Sequence, residues 1–269
     1  SSPTGGCSGP VMWNCATANM RERETAEAVL DTLADDLQQA VTDSGVRSNE
    51  VASVSDASFY LDSNVDAAAA ESQAHLLLRF ARPAFSTTPT AIAAGNRLSL
   101  DMVCYTFYNY ALFRHVFALP QDADGQTTLG ERMDASTPAD FTAICRDLQK
   151  NPTDAAYSEG SHICLARRIC GINILAAYAK AYLLNTASGS DDTGESGGIL
   201  LPVSSRSQAA ANVLPDRVDA SLCILSEEEE PVWLGLQKDS SAEAKKQADA
   251  LGTRVYRRIT FPAQGGSRV

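Results

Sequence analysis

The stretch on which the fold turns is Leu100–Leu119, LDMVCYTFYNYALFRHVFAL. It is helical in length and apolar nearly all round, carrying Tyr105, Phe107, Tyr108, Tyr110, Phe113 and Phe117. A helix apolar on every side is normally buried centrally, so the reading is a central helix that Pro120 ends. Tyrosines join an apolar body to a polar tip and suit ligand sites. Tyr105 and Tyr108, with His115 on the same segment, are therefore the candidate ligand-binding residues. Core packing explains the same side chains without a ligand, and His115 amid Phe113, Val116 and Phe117 fits a hydrogen-bonded core histidine.

On the N-terminal side, residues 1–13 are rich in Ser, Gly and Pro and read as a tied-down arm. From Ala16 to Ser44, Ala26, Val29, Leu30, Leu33, Leu37, Ala40 and Val41 recur at helical steps, with Asp31, Asp35 and Asp36 among the opposing residues. That is an amphipathic helix ended at Gly45. Strands are expected at Val51–Leu61 and His75–Phe80, and a short helix at Ala67–Ala70. On the C-terminal side, Gln121–Asp134 reads as an acidic loop. Thr137-Pro138-Ala139-Asp140 reads as the start of a helix reaching Lys150, and a second helix is expected over Ser161–Asn185. Ala187–Gly198 reads as a loop or linker. Strands follow at Ile199–Val203, Ala220–Leu225 and Arg254–Phe261, with a Ser240/Glu243 capping box opening a helix that Gly252 closes. Helices and strands mix without regular β-α-β alternation, which favours α+β. The expectation is one domain over residues 1–269, a mixed or antiparallel sheet packed with about five helices and stapled by disulfides, with residues 187–198 as a hinge if a second unit exists.

A net charge of −11 and a pI near 4.7 argue against nucleic acid as a partner, because polyanion binding rests on clustered Lys and Arg. No apolar run reaches the roughly 18 residues of a membrane span; the nearest, Ile169–Ala179, stops at Lys180. The start at Ser1-Ser2-Pro3 is read as that of a mature chain whose leader has gone, and loss of a C-terminal membrane anchor fits equally. The one glycosylation-like triplet, Asn151-Pro152-Thr153, is spoiled by its proline.

Seven cysteines, Cys7, Cys15, Cys104, Cys145, Cys164, Cys170 and Cys223, are scattered singly with no C-x-x-C. Cytosolic chains seldom carry that many without a metal or redox motif, whereas secreted chains oxidise theirs. All seven are disulfide candidates, and the odd number leaves one free or paired to another chain. Cys7 with Cys15, and Cys104 with Cys145, could close. On a helix Cys164 and Cys170 would lie about 240° apart and so take different partners.

Gly194-Glu195-Ser196-Gly197-Gly198 fits G-x-S-x-G and is similar to the Gly-Asp-Ser-Gly-Gly nucleophile segment of trypsin-like proteases. A serine nucleophile also needs a base and oxyanion donors, and neither the strand-to-helix context of a hydrolase nor an Ala-Ala-His-Cys segment is present. Ser196 is thus the only nameable catalytic candidate. His75, His115 and His162 are the three histidines. His162 and Cys164 would point apart on a helix. No metal-ligand spacing and no phosphate loop occurs, so no cofactor or metal is expected. Glu227–Glu230 reads as a solvated acidic run. Of Arg254, Arg257 and Arg258, the first and last would share a strand face and Arg257 would take the other.

These readings add up to a secreted or cell-surface binding protein of the surface-antigen or receptor-ectodomain kind, taking a protein partner or a small apolar ligand. The alternatives are a secreted serine hydrolase using Ser196 and a structural subunit of a larger extracellular assembly, linked through the odd cysteine.

Overall fold

The computed structural model describes residues 9–42, 58–62, 69–84, 99–120, 127–151, 161–178, 199–201, 214–215 and 217–261, with side chains throughout except at 9–19, 177–178 and 199–201. Its elements are α1 (Gly9–Gln38), β1 (Phe59–Leu61), a 3-10 turn (Ala69–Glu71), β2 (His75–Pro83), β3 (Leu100–Tyr108), β4 (Ala111–Ala118), α2 (Leu129–Ser136), α3 (Thr142–Lys150), β5 (His162–Ala166), β6 (Ile169–Tyr178), β7 (Ile199–Leu201), β8 (Arg217–Ile224), α4 (Glu229–Gln237), α5 (Ala242–Asp249) and β9 (Thr253–Thr260). The fold is α+β: two antiparallel sheets, ordered β1-β2-β3-β4-β5 and β7-β6-β8-β9, with five α-helices among the described residues.

The stretch Leu100–Leu119 is a hairpin, not a helix. Asn109 (φ 44°) and Tyr110 (φ 56°) make its two-residue turn, the left-handed pair that matches the twist of the flanking strands. Its strands are covered on both faces. Val103, Tyr105, Phe107 and Leu112 look toward α1, while Met102, Cys104, Tyr108 and Phe113 look toward α2 and α3. A strand buried on both sides loses its alternation, which is why the sequence imitates an all-apolar helix. The expected helix over Ser161–Asn185 fails as well: residues 161–178 form β5 and β6 around a turn at Arg168 (φ 59°), and a bulge at Cys170 with an apolar Leu175 on the outer face blurs the strand alternation.

The amphipathic stripe of α1 forms as its spacing dictates. Ala26, Val29, Leu30, Leu33 and Leu37 are buried against the inner faces of both sheets, in one core that also holds Val218, Ala220, Leu222 and Ile259. The helix is described over Gly9–Gln38; Val41 then bridges to Ala81. Helix α2 replaces part of the expected acidic loop, opened by a Thr128/Glu131 capping box. Thr137, read as a helix start, instead closes α2 by donating to the Met133 carbonyl, and α3 begins at Thr142. Ser241 rather than Ser240 caps α5. The layers therefore run α2/α3, first sheet, α1, second sheet. Helices α4 and α5 pack at a corner, where Trp233 meets Tyr110 edge-on at 5.2 Å.

Candidate functional site

The second sheet has one face in the core and one face outward. Across β8 and β9 the register pairs Cys223 with Arg254, Ser221 with Tyr256 and Asp219 with Arg258. Across β6 and β8 it pairs Asn173 with Ser221 and Leu175 with Asp219. Successive residues of a strand point to opposite faces. Since Ile174, Val218, Ala220, Leu222 and Ile259 fill the core, the paired residues stand on the outer face. A shallow cavity of about 490 Å³ lies there, lined by Asn173, Leu175, Ser221, Tyr256 and Arg258 among others.

Tyr256 is 71% exposed at the middle of this face. Asp219 is shared by Arg217 (3.1 Å) and Arg258 (2.8 Å), and Arg254 is hydrogen-bonded to Tyr256 and to the Cys223 thiol. Three guanidinium groups thus face one carboxylate, a cationic strip on an acidic chain. Arg257 turns to the other side and pairs with Asp31 of α1. The face division of Arg254, Arg257 and Arg258 was readable from strand alternation. The open face was not, because its members come from β6, β8 and β9.

Tyr105, Tyr108 and His115 do not converge. Tyr105 is fully enclosed on the α1 side and donates to Asp36 at 2.6 Å; burial, then the Asp36 carboxylate, pushes its phenol well above the usual range. Tyr108 and His115 lie on the opposite face of the first sheet, in the core covered by α2 and α3. His115 is buried, with Nε2 at 2.9 Å from the Thr106 hydroxyl and Nδ1 at 3.2 Å from His162 Nδ1. Burial, then the neighbouring His162, lowers its pKa to about 3. Cys145 Sγ is 3.8 Å from His115 Nε2, yet burial raises that thiol to about 12. A neutral thiol beside a neutral imidazole is core packing with hydrogen bonds, not an activated nucleophile. His162 and Cys164 stand on one side of β5 rather than pointing apart, and burial raises the Cys164 thiol as well.

Ser196 and Cys7 lie outside the described residues, as does the span 187–198, and Cys15 falls within α1. Cys104, Cys145, Cys164, Cys170 and Cys223 are thiols in the structure. Cys104 and Cys145 sit in the same core. Cys170 and Cys223 are neighbours: Cys170 Sγ donates to the Cys223 carbonyl at 3.5 Å, and Cys223 Sγ to the Leu251 carbonyl at 3.7 Å. Among the described residues no group of three or more His, Cys, Asp and Glu could hold a metal ion, and no helix is long and apolar enough to cross a membrane.

A second cavity, of about 410 Å³, is lined by Asn109, Tyr110, Gln149, Arg167, Arg168 and Glu230. It gathers the three residues other than glycine that have positive φ among the described residues, but each of them serves the backbone. Asn109 and Tyr110 turn the hairpin, and Arg168 Nε donates to the Leu225 carbonyl at 3.1 Å while its own carbonyl accepts from the Leu225 amide.

No protein-family model, no curated protein and no solved structure matches the chain.

Proposed function

We propose that the protein is a secreted or cell-surface binding protein whose recognition surface is the outer face of β6, β8 and β9, taking an extended acidic segment of a protein partner. The observation that carries this reading is Tyr256, a large aromatic held 71% exposed between Arg254 and Arg258. Tyr and Arg are the residues that dominate binding energy at protein interfaces. A tyrosine on a strand presents a rigid contact area with little rotamer entropy to lose. The excess of guanidinium over carboxylate on the face selects a carboxylate-bearing partner, since complementary charge raises encounter rate and specificity. Strand β9 is also an edge of its sheet, so an extended segment can add main-chain hydrogen bonds alongside it. The extracellular setting rests on the scattered cysteines.

Selection of a displayed random-peptide library on the immobilised chain tests this. Enriched peptides rich in Asp and Glu that lose binding to Tyr256→Ala and to Arg258→Ala support the reading. Enriched peptides that bind those variants as well as the parent chain overturn it.

A further inference from the structure

We propose that Cys170 and Cys223 form a covalent exchange site, closing into an intrachain disulfide by reaction with a small-molecule disulfide of the oxidised-glutathione class. Cys170 is the extra residue of a β-bulge: pairing between β6 and β8 steps from Ile169↔Ile224 to Gly171↔Cys223, leaving Cys170 without a register partner. A bulge re-aims the side chain it carries, and here Cys170 Sγ, which donates to the Cys223 carbonyl at 3.5 Å, is brought beside the Cys223 sulfur.

Gly252 keeps the space over both sulfurs. Its φ is +83°, and a Cβ built there would stand 2.9 Å from Cys223 Sγ and 3.1 Å from Cys170 Sγ, so both sulfurs face one point. Arg254 lies directly across from Cys223 and hydrogen-bonds to it. The neighbouring Cys170 thiol, and then the guanidinium, hold the Cys223 thiol below its usual range against burial and Glu229, which oppose them. Glu229 Oε1 in turn accepts from the Gly252 amide at 3.3 Å. Cys170 is half-buried and Cys223 is buried, so Cys170 is the sulfur that a disulfide in solution reaches.

The exchange takes two steps. Cys170 gives its proton to the Cys223 thiolate as its sulfur attacks one sulfur of RS–SR, forming a Cys170–SR mixed disulfide and releasing RS⁻. Cys223 then loses that proton to solvent and attacks the Cys170 sulfur, breaking the mixed bond and releasing the second RS⁻. Two protein thiols are oxidised and one external disulfide is reduced to two thiols. The site shares Arg254 with the recognition face proposed above, but exchange requires no partner protein.

The test equilibrates the full chain in mixtures of oxidised and reduced glutathione, traps free thiols with N-ethylmaleimide and digests with trypsin. Ile169–Lys180 and Val218–Lys238 each carry one cysteine. The expected result is one linked peptide pair, lighter by two hydrogens than its parts and growing with the oxidised fraction. Cys223→Ser should stall Cys170 as a glutathione adduct. Recovery of both peptides alkylated across the whole series, linkage of Cys170 to a different cysteine, or no adduct in Cys223→Ser would overturn the proposal.

Discussion

Asp36 and Arg114 form a two-bond ion pair across the core, Nε to Oδ2 at 2.5 Å and Nη2 to Oδ1 at 2.9 Å. The pair joins α1 to β4. Arg82 of β2 adds a bond to Oδ1 at 2.6 Å and Tyr105 of β3 donates to Oδ2. One carboxylate thereby ties the helix to three strands of the first sheet.

Removing that carboxylate leaves two enclosed guanidinium groups without the acid that bonds both of them, with Asp101 acting on them only through space. Breaking one side of a buried pair costs about 3–5 kcal/mol. Asp36→Asn should therefore lower unfolding free energy by that order in urea titration, with the m-value unchanged. A loss below about 1 kcal/mol, the range of an exposed pair, would contradict the role.

Acid should weaken the fold through His115. Burial, then His162, holds its folded pKa at about 3, against about 6.5 in an unfolded chain. Between those values the unfolded state binds the proton and the native state does not, so stability is complete above about pH 6.5 and falls by about 1.4 kcal/mol per pH unit below it, until about pH 3. His162 on β5, Cys104 on β3 and Cys145 on α3 are the titratable groups facing or paired with the ring; His162 is also lowered by burial and adds in the same direction. His115→Phe should flatten the acid limb of a stability-against-pH curve relative to the parent chain. An unchanged slope would contradict the assignment.

Gly252→Ala meets two obstacles, the positive φ and the sulfurs of Cys170 and Cys223. Left-handed backbone costs a non-glycine residue about 1–3 kcal/mol. Replacing both cysteines by Ala removes the clash with sulfur and leaves the backbone part and the Ile224 carbonyl at 3.1 Å. A double-mutant cycle in urea should therefore show coupling of at least about 0.5 kcal/mol; strictly additive losses would place the sulfurs elsewhere.

Tyr256 should contribute to binding and little to folding. Exposed substitutions away from caps and cores usually change stability by less than about 0.5 kcal/mol. Tyr256→Ala should leave the thermal midpoint in place while abolishing capture of the selected acidic peptides. A large drop in the midpoint would make the residue structural.

Elements with one wet face were legible from sequence. The α1 stripe from Ala26 to Leu37, the strands at Ala220 and Arg254, and the helix closed by Gly252 all form where polar and apolar residues separate; the strand at His75, buried on both faces, was read from its short apolar run before Pro83. The largest error falls where burial is complete. Leu100–Leu119 has core or helices on both faces, so periodicity carries no signal, and length alone suggested helix; over Ile169–Tyr178 the bulge at Cys170 and an outward Leu175 blur the alternation instead. Asn109 between two aromatic-rich runs was the one local mark of a hairpin, and a tyrosine beside it in the left-handed region disguised even that. The proposed recognition face was hidden for a different reason. Arg254, Tyr256 and Arg258 are visible as a set only once they are known to lie on one strand, and Asp219, Ser221 and Asn173 join them only through register. The same holds for Cys170 and Cys223, which a bulge brings together across 53 positions.

Amide hydrogen exchange on the full chain, with and without a selected acidic peptide at saturation, tests recognition by the outer sheet face most directly. The account predicts slowed exchange concentrated in Thr253–Thr260 and the facing part of β8, lost in Tyr256→Ala. Protection confined to Asn109–Tyr110 and Arg167–Arg168, with β9 unchanged, would contradict it.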